Sequence, residues 1–381
     1  MSGQSVFREA SGSDDSVKLA SNDDGGRGLL NRESADGERR DVASGYRTMP
    51  VHQVPHRDVG LTELGLGAAQ FGNLYRETTE DEAAGALDVA WRAGIRYFDT
   101  APHYGLGLSE GRLGRLLGDR LRDEFVISTK VGRLLVPNPD GVGRDTEGFD
   151  VPATTRRVRD FSRDGVLRSL EESLSRLGLD RVDILYLHDP DEYWEQASKE
   201  AVPALVELRD QGVIGAFGVG MNQAEMPARF IRECDIDLVM LAGRYTLLEQ
   251  GALDDLLPLA EERGVGVVIA GAYNSGLLAQ NRPSPNAMYD YETAPGDLVA
   301  RAHRIADVCE RYGVTLPDVA LAFVRAHPAV LATVVGARTG AQVESNVARA
   351  GVHVPGELWG ELRAQGLLVR DAPVPADGPR S

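Results

Sequence analysis

From about residue 60 to residue 350 the chain alternates short apolar runs with amphipathic stretches, and this alternation most narrows the folds open to it. A run apolar on both faces is a strand that must be covered on both sides. The amphipathic stretch that follows supplies the helix that covers it. The apolar runs are GLTELGLGAAQFG (60–72), RYFD (96–99), FVISTK (125–130), VDILYLHD (182–189), AFGVGMN (216–222), DLVMLAGRY (237–245), VGVVIAG (265–271) and ATVVGAR (332–338). Between them the 3.6-residue spacing predicts helices over 80–92, with Thr79 as N-cap, and over 109–117, 162–177, 201–209, 224–233 and 253–262. Two more, over 297–311 and 316–325, precede the last strand, and a closing helix covers 341–350. Roughly eight strand and helix pairs are the number that a closed barrel of the α/β class, a (β/α)8 TIM barrel, requires. The alternative, a doubly wound open sheet, would carry G-x-G-x-x-G after its first strand, and this chain has none there.

The barrel is expected to be a single domain over residues 51–370. Residues 1–50 are rich in Ser, Gly, Asp and Arg, with few spaced apolar residues to offset the entropy of ordering, and read as a disordered acidic and polar tail. Residues 371–381 read as a flexible C-terminus. The stretch 134–159, rich in Pro, Gly and Asp, reads as a long loop of the kind that serves as a lid or binding loop, or is merely mobile. A net charge of -17 argues against a nucleic-acid partner, and no apolar run approaches the roughly 18 residues of a membrane helix. The start has no basic stretch followed by an apolar core, so a cytoplasmic location is expected. Nothing in the sequence sets the oligomeric state.

Polar side chains close three of the apolar runs: Asp99, with Tyr104 five residues beyond it, then Lys130, then His188. In a barrel these strand ends share one face, so residues remote in sequence converge there. Each alone has an ordinary reading, as a cap, a loop anchor, a surface charge or a core histidine. Together they form a working set. An ammonium beside a phenol stabilises the phenolate, and a carboxylate facing the ammonium keeps it charged in a low-dielectric site. The phenol can then exchange a proton with a carbonyl or alcohol oxygen, which the imidazole orients by a hydrogen bond. A lysine at a barrel strand end could instead form a Schiff base, as in an aldolase. His188, Asp189 and His103 lack the paired spacing of a metal site, so no metal is expected.

RYFDTAPHYG (96–105), STK (128–130), YLHD (186–189), GVGMN (218–222) and VVGARTGAQVESN (334–346) resemble, in order and spacing, the signature segments of the aldo-keto reductase family. The resemblance spans about residues 58 to 350. It implies a catalytic set of Asp99, Tyr104, Lys130 and His188, with Tyr104 as proton donor or acceptor and hydride passing between substrate carbon and a nicotinamide cofactor. His103 then lines the substrate pocket. GLTELGLGAAQFGN, LAGRYTLLEQ (241–250) and YNSGLLA (273–279) are similar to the branch that contains L-fucose, D-threo-aldose and L-galactose dehydrogenases. That likeness implies oxidation of the C1 hydroxyl of an aldose such as L-fucose or D-arabinose to the lactone. The alternatives are an NADPH-dependent aldehyde or ketone reductase of the same family and a non-catalytic nicotinamide-binding subunit.

For the cofactor, the likeness implies contacts from Asn222, Gly336, Arg338, Gln342 and Asn346, with Glu344 near the adenosine portion. Met221 stands where many members have Ser. The family's Gln falls near Ala242 or Gly243, and its stacking aromatic near Gly271, with Tyr273 as the candidate replacement. NADPH-preferring members place Lys and Arg where this chain has Gly336 and Gln342. A 2′-phosphate wants cationic partners and Arg338 is the obvious one, so NAD is expected to serve at least as well as NADP.

Overall fold

Eight parallel strands close on one another in chain order: β1 Leu64–Gly67, β2 Tyr97–Asp99, β3 Val126–Val131, β4 Ile184–His188, β5 Ala216–Met221, β6 Leu238–Ala242, β7 Gly266–Ala270 and β8 Val330–Gly336, which pairs back onto β1. This computed structural model describes residues 48–290 and 292–376. The chain divides into two units, residues 1–40 and 41–381, and every described residue belongs to the second. The expected tail over 1–50 therefore lies almost wholly outside the described residues. Past the boundary expected at 370, Ala372 is buried and Val374 packs against the core.

Strand parity decides what faces the barrel axis. Successive side chains on a strand point to opposite faces. On β4, Ile184 and Tyr186 belong to the inner cluster, with Tyr97, Met240 and Val334, while Leu185 and Leu187 pack outward beneath the helices. His188, two residues beyond Tyr186, therefore points inward at the C-terminal rim. The same parity turns Asp99 inward above Tyr97, and turns Lys130 inward with Ser128 on β3. An antiparallel hairpin, Val51–Gln53 with Gly60–Thr62, lies at the other end, where Val54, Val59 and Leu61 complete the inner cluster.

The helices are α1 Glu80–Arg92, α2 Leu108–Leu117, α3 Arg163–Leu177, α4 Val202–Asp210, α5 Glu225–Glu233, α6 Leu256–Arg263, α7 Gly296–Arg311, α8 Leu316–Val324, α9 Gly340–Ala350 and α10 Gly356–Ala364. Thr79 caps α1 in a capping box with Glu82, as its position before an acidic first turn implies. Trp91 of α1 stacks on Phe98, with ring centroids 6.3 Å apart.

Three features depart from the sequence reading. The stretch 134–159 is not a plain loop, because its ends pair as an antiparallel hairpin, Arg133–Pro137 with Thr155–Arg159. The two strands are short and half-exposed, and the glycines and prolines between them masked their alternation. The chain before α4 is already helical from Trp194, passing through a π-turn at Ala197–Ala201. Helix α10 follows the expected last helix and buries Leu358, Trp359 and Leu362.

One buried charge holds the wall beside the site. Glu110 on α2 is fully buried, accepting Thr129 Oγ1 from β3 at 2.7 Å and Arg176 Nε from α3 at 2.6 Å. Removing Glu110 strips Thr129 of a buried acceptor, while Arg176 is 22% exposed and keeps Glu172 at 3.9 Å, so the cost is roughly 1–3 kcal/mol. Glu110→Ala should lower the unfolding free energy by about that amount in denaturant titration. A change under about 1 kcal/mol would mean that Arg176 reaches water instead.

Candidate active site

The four strand-end residues meet at the C-terminal mouth of the barrel. Lys130 Nζ donates to both carboxylate oxygens of Asp99, at 2.9 and 2.8 Å, and to the Thr100 carbonyl at 2.8 Å. Both side chains are almost wholly buried, at 3% and 4% exposure. Burial pulls the ammonium down, but Asp99 and then Tyr104 outweigh that and leave Lys130 above its ordinary value. Asp99 has a second anchor, since Ser128 donates from Oγ to Oδ1 at 2.7 Å, and Tyr97 meets the same Ser128 hydroxyl at 3.1 Å.

Tyr104 sits on the turn after β2. Gly105, at φ +65, presses against the backbone of Gly72, and a Cβ there would fall 2.3 Å from the Gly72 carbonyl oxygen. Only glycine permits that approach, which fixes the turn bearing the phenol. The Tyr104 ring lies 4.8 Å from Lys130 Nζ and 6.1 Å from the His188 ring.

Both histidines at the mouth are neutral. Burial, and then Arg133, hold His188 well below the ordinary imidazole value. The same causes push His103 down to about 2. The 3.8 Å approach of His188 Nε2 to Asp189 is therefore a contact of a neutral ring rather than an ion pair. Unfolded, each histidine takes up a proton near pH 6.5, while the folded protein refuses it. Their contribution is thus whole above pH 6.5 and is lost as the pH falls, by at most about 1.4 kcal/mol per pH unit per histidine. Urea unfolding between pH 7.5 and 5 should show a shallower slope in His103→Gln than in the wild type. Equal slopes would place the acid sensitivity elsewhere.

A cavity of about 560 Å³ opens above these groups, lined by His103, Tyr104, Lys130, His188, Phe149 and Met240 among others. A second arm of about 390 Å³ shares Leu74, Tyr75, Asn222 and Ala242 with it and runs past Gly243, Gly271 and Gly276 to Gly336, Arg338 and Gln342. A larger cleft of about 700 Å³ lies at the opposite end of the barrel, beside Thr62, Arg96 and Asp183, away from all four residues.

The second arm fits a long polar ligand. Glycines form much of its floor, and Gln70 Oε1 and Asn274 Oδ1 are buried in its wall without a hydrogen-bond partner. Of the residues expected to touch a cofactor, Asn222, Gly336, Arg338 and Gln342 line it, as does Tyr273. Asn346 is buried on α9, and Glu344 on the same helix is exposed. Gln342 closes the N-terminal turn of α9, its Oε1 accepting Arg338 N at 2.7 Å and Thr339 N at 3.3 Å. Arg338 turns its guanidinium to the loop after β1, donating to the carbonyls of Leu74 at 2.6 Å and Arg76 at 2.9 Å and to Thr78 Oγ1.

The sequence reading left out the far wall. Arg133 donates to the Asp189 carboxylate and, through Nη1, to His103 Nδ1 at 3.2 Å, and Glu147 stands beside it. Arg133 and Asp189 each follow a chemistry-bearing strand end by a few residues, which was the available signal.

A phenol backed by a buried ammonium, beside a chamber for a small molecule and a trench for a longer one, defines a barrel oxidoreductase. The chain belongs to the Aldo/keto reductase family, whose model matches residues 63–364, and is an NAD(P)-dependent oxidoreductase. It is 47% identical over 314 residues to D-threo-aldose 1-dehydrogenase of a Pseudomonas species, covering 81% of this chain and 95% of the relative. Pyridoxal 4-dehydrogenase of Microbacterium luteolum is 39% identical over 81% of this chain and 95% of its own length. L-galactose dehydrogenase of Arabidopsis thaliana is 31% identical over 76% of this chain and 84% of its own. Among solved structures, an aldo-keto reductase from Bacillus halodurans superposes with a TM-score of 0.64 at 26% identity, over 86% of this chain and 99% of that one.

Proposed function

We propose that the protein oxidises the C1 hydroxyl of an aldose to the lactone, with NAD as acceptor and Tyr104 as the base. The observation that carries this reading is the placement of Lys130, clamped by Asp99 and 4.8 Å from the Tyr104 ring, in the lining of the chamber. An ammonium held against a phenol favours the phenolate, which is the form that accepts the proton of a C1 hydroxyl. Neutral His188 orients the same oxygen by a hydrogen bond. The cofactor would lie along the trench, held by Asn222, Gly336 and Arg338, and supplies the acceptor for the C1 hydride. The relatives named for aldose and galactose dehydrogenation support the substrate class.

The Schiff-base reading loses ground to the same geometry, because an amine that attacks a carbonyl must be neutral, and two Asp99 oxygens hold Lys130 protonated. NAD is favoured over NADP because the guanidinium of Arg338 is already spent on Leu74, Arg76 and Thr78, and Gln342 is neutral. The test is NAD and NADP reduction followed spectroscopically with L-fucose, L-galactose and D-arabinose between pH 7 and 9. Turnover should rise with pH, and NAD should serve at least as well as NADP. A rate falling steadily over that range would reject Tyr104 as the base. A preference for NADP above about thirtyfold, some 2 kcal/mol, would reject the cofactor assignment.

A further inference from the structure

Opposite the Lys130 side, the chamber is walled by charges that the reaction itself does not use. Arg133, Asp189 and Glu147 all line it. Arg133 is 8% exposed and its guanidinium is only partly employed. It donates to the Asp189 carboxylate and to His103 Nδ1, and its Nε is buried with no partner. Asp189 follows His188 directly and holds a left-handed backbone, φ +46, which a branched or bulky residue would resist. That conformation places its carboxylate 3.8 Å from His188 Nε2, beside the oxygen that His188 orients. Glu147 comes from the hairpin insert. Its Oε1 lies 3.3 Å from Arg157 Nη1, its Oε2 stands 3.8 Å from Arg133 Nη1 and 3.7 Å from His103 Nδ1, and the side chain is half-exposed, so one face of the carboxylate remains open to the chamber.

Arg133 and Arg157 in this wall are both paired with carboxylates. Arg133 faces Asp189, and Arg157 behind it holds Asp145 through two bonds of 2.7 and 3.0 Å. A phosphorylated or carboxylated substrate would meet carboxylates and already-paired guanidinium groups here. A neutral polyol meets both the donors and the acceptors that hydroxyls need.

We infer that Asp189 and Glu147, aimed by Arg133, read the hydroxyls on the carbons next to the reacting carbon, so that the site selects an unphosphorylated aldose over an aldehyde or sugar lacking those hydroxyls. Asp189 serves the hydroxyl nearest the reacting carbon, because it adjoins His188. Glu147 serves one further out, toward the chamber opening. A site built to bond a hydroxyl discriminates strongly against the analogue without it, because its own buried polar groups are then left unpaired.

This inference rests on the aldose reading, and the experiment separates the two. Steady-state kinetics with NAD compare the wild type, Asp189→Asn and Glu147→Gln on L-galactose, its 2-deoxy analogue and galactose 6-phosphate. Asn keeps the left-handed backbone at 189 and Gln at 147 is half-exposed, so both variants should fold. The wild type should favour L-galactose over the 2-deoxy sugar by at least tenfold in kcat/KM and turn over the phosphate poorly. Asp189→Asn should lose at least tenfold on L-galactose, mostly in KM, and less than threefold on the 2-deoxy sugar. Glu147→Gln should lose activity on both sugars alike, since each retains the outer hydroxyls, while keeping the wild-type ratio between them. Equal losses on both sugars in Asp189→Asn, or unchanged kinetics in both variants, would overturn the inference while leaving the aldose assignment standing. No wild-type turnover of either neutral sugar would overturn both.

Discussion

Tyr104→Phe should abolish most turnover, lowering kcat by about 10²- to 10⁴-fold, the range that a positioned proton acceptor contributes. The substitution removes one oxygen and leaves the ring between His103, Phe149 and His188, whose centroids lie 5.9, 6.0 and 6.1 Å away. Packing is therefore preserved and the fold should not suffer. Cofactor binding should also survive, because Tyr104 lines the chamber and not the trench. The discriminating readout is a pair of measurements: NAD affinity by fluorescence titration, expected within about twofold, and single-turnover rate, expected to collapse. A variant that retains more than a tenth of the wild-type rate would move the proton chemistry away from the phenol.

Asp99→Asn should damage both stability and activity. It leaves an ammonium 3% exposed with no counter-charge, and breaking a buried pair by removing one member costs about 3–5 kcal/mol. Deprived of the carboxylate, Lys130 keeps only Tyr104 and the Thr100 carbonyl against the burial that disfavours its charge, so it loses its proton more readily and with it the support of the Tyr104 phenolate. The sign with pH is definite. Lys130 is raised above 10.5, so the stability that its own titration links to folding is complete below about pH 10.5 and disappears as the pH climbs through the folded value. At pH 8 the full deficit should appear in denaturant titration, together with a kcat loss approaching that of Tyr104→Phe. The double variant Asp99→Asn, Lys130→Met should recover part of the stability and none of the activity, because both charges are gone. If the double variant is less stable than the wild type by the sum of the two single effects, the two residues are not coupled.

The Glu110 pair is a purely structural counterpart. Glu110 is as buried as Asp99, yet its partners Thr129 and Arg176 face the helices and not the chamber. Parity on β3 explains the contrast, since Thr129 points outward between inward-facing Ser128 and Lys130. Two carboxylates with similar burial thus differ in function by one residue of strand register.

That register was legible before any coordinates. Strand period and the alternation of strand and helix determine which side chains face the barrel axis and which end they crown. The barrel and the meeting of Asp99, Lys130 and His188 follow from that, because they depend on local spacing alone. Tyr104 needed one further fact, the glycine at 105 whose backbone approach to Gly72 anchors the turn. What the sequence could not supply were pairings across the mouth. Arg338 engages Leu74 across 264 residues, and Arg133 reaches Asp189 across 56, through loops with no periodicity to place them. A charged side chain at the mouth takes whichever acceptor the neighbouring segment presents, a carbonyl for Arg338 and a carboxylate for Arg133, and only the closed barrel decides which segments are neighbours. On α9 the Thr339 and Gln342 capping box is local and readable in the sequence, whereas the burial of Asn346 one turn later depends on how the helix packs against the barrel. Spacing along the chain thus determined which side chains crown the strand ends, and tertiary contact between distant segments decided the charged wall beside them.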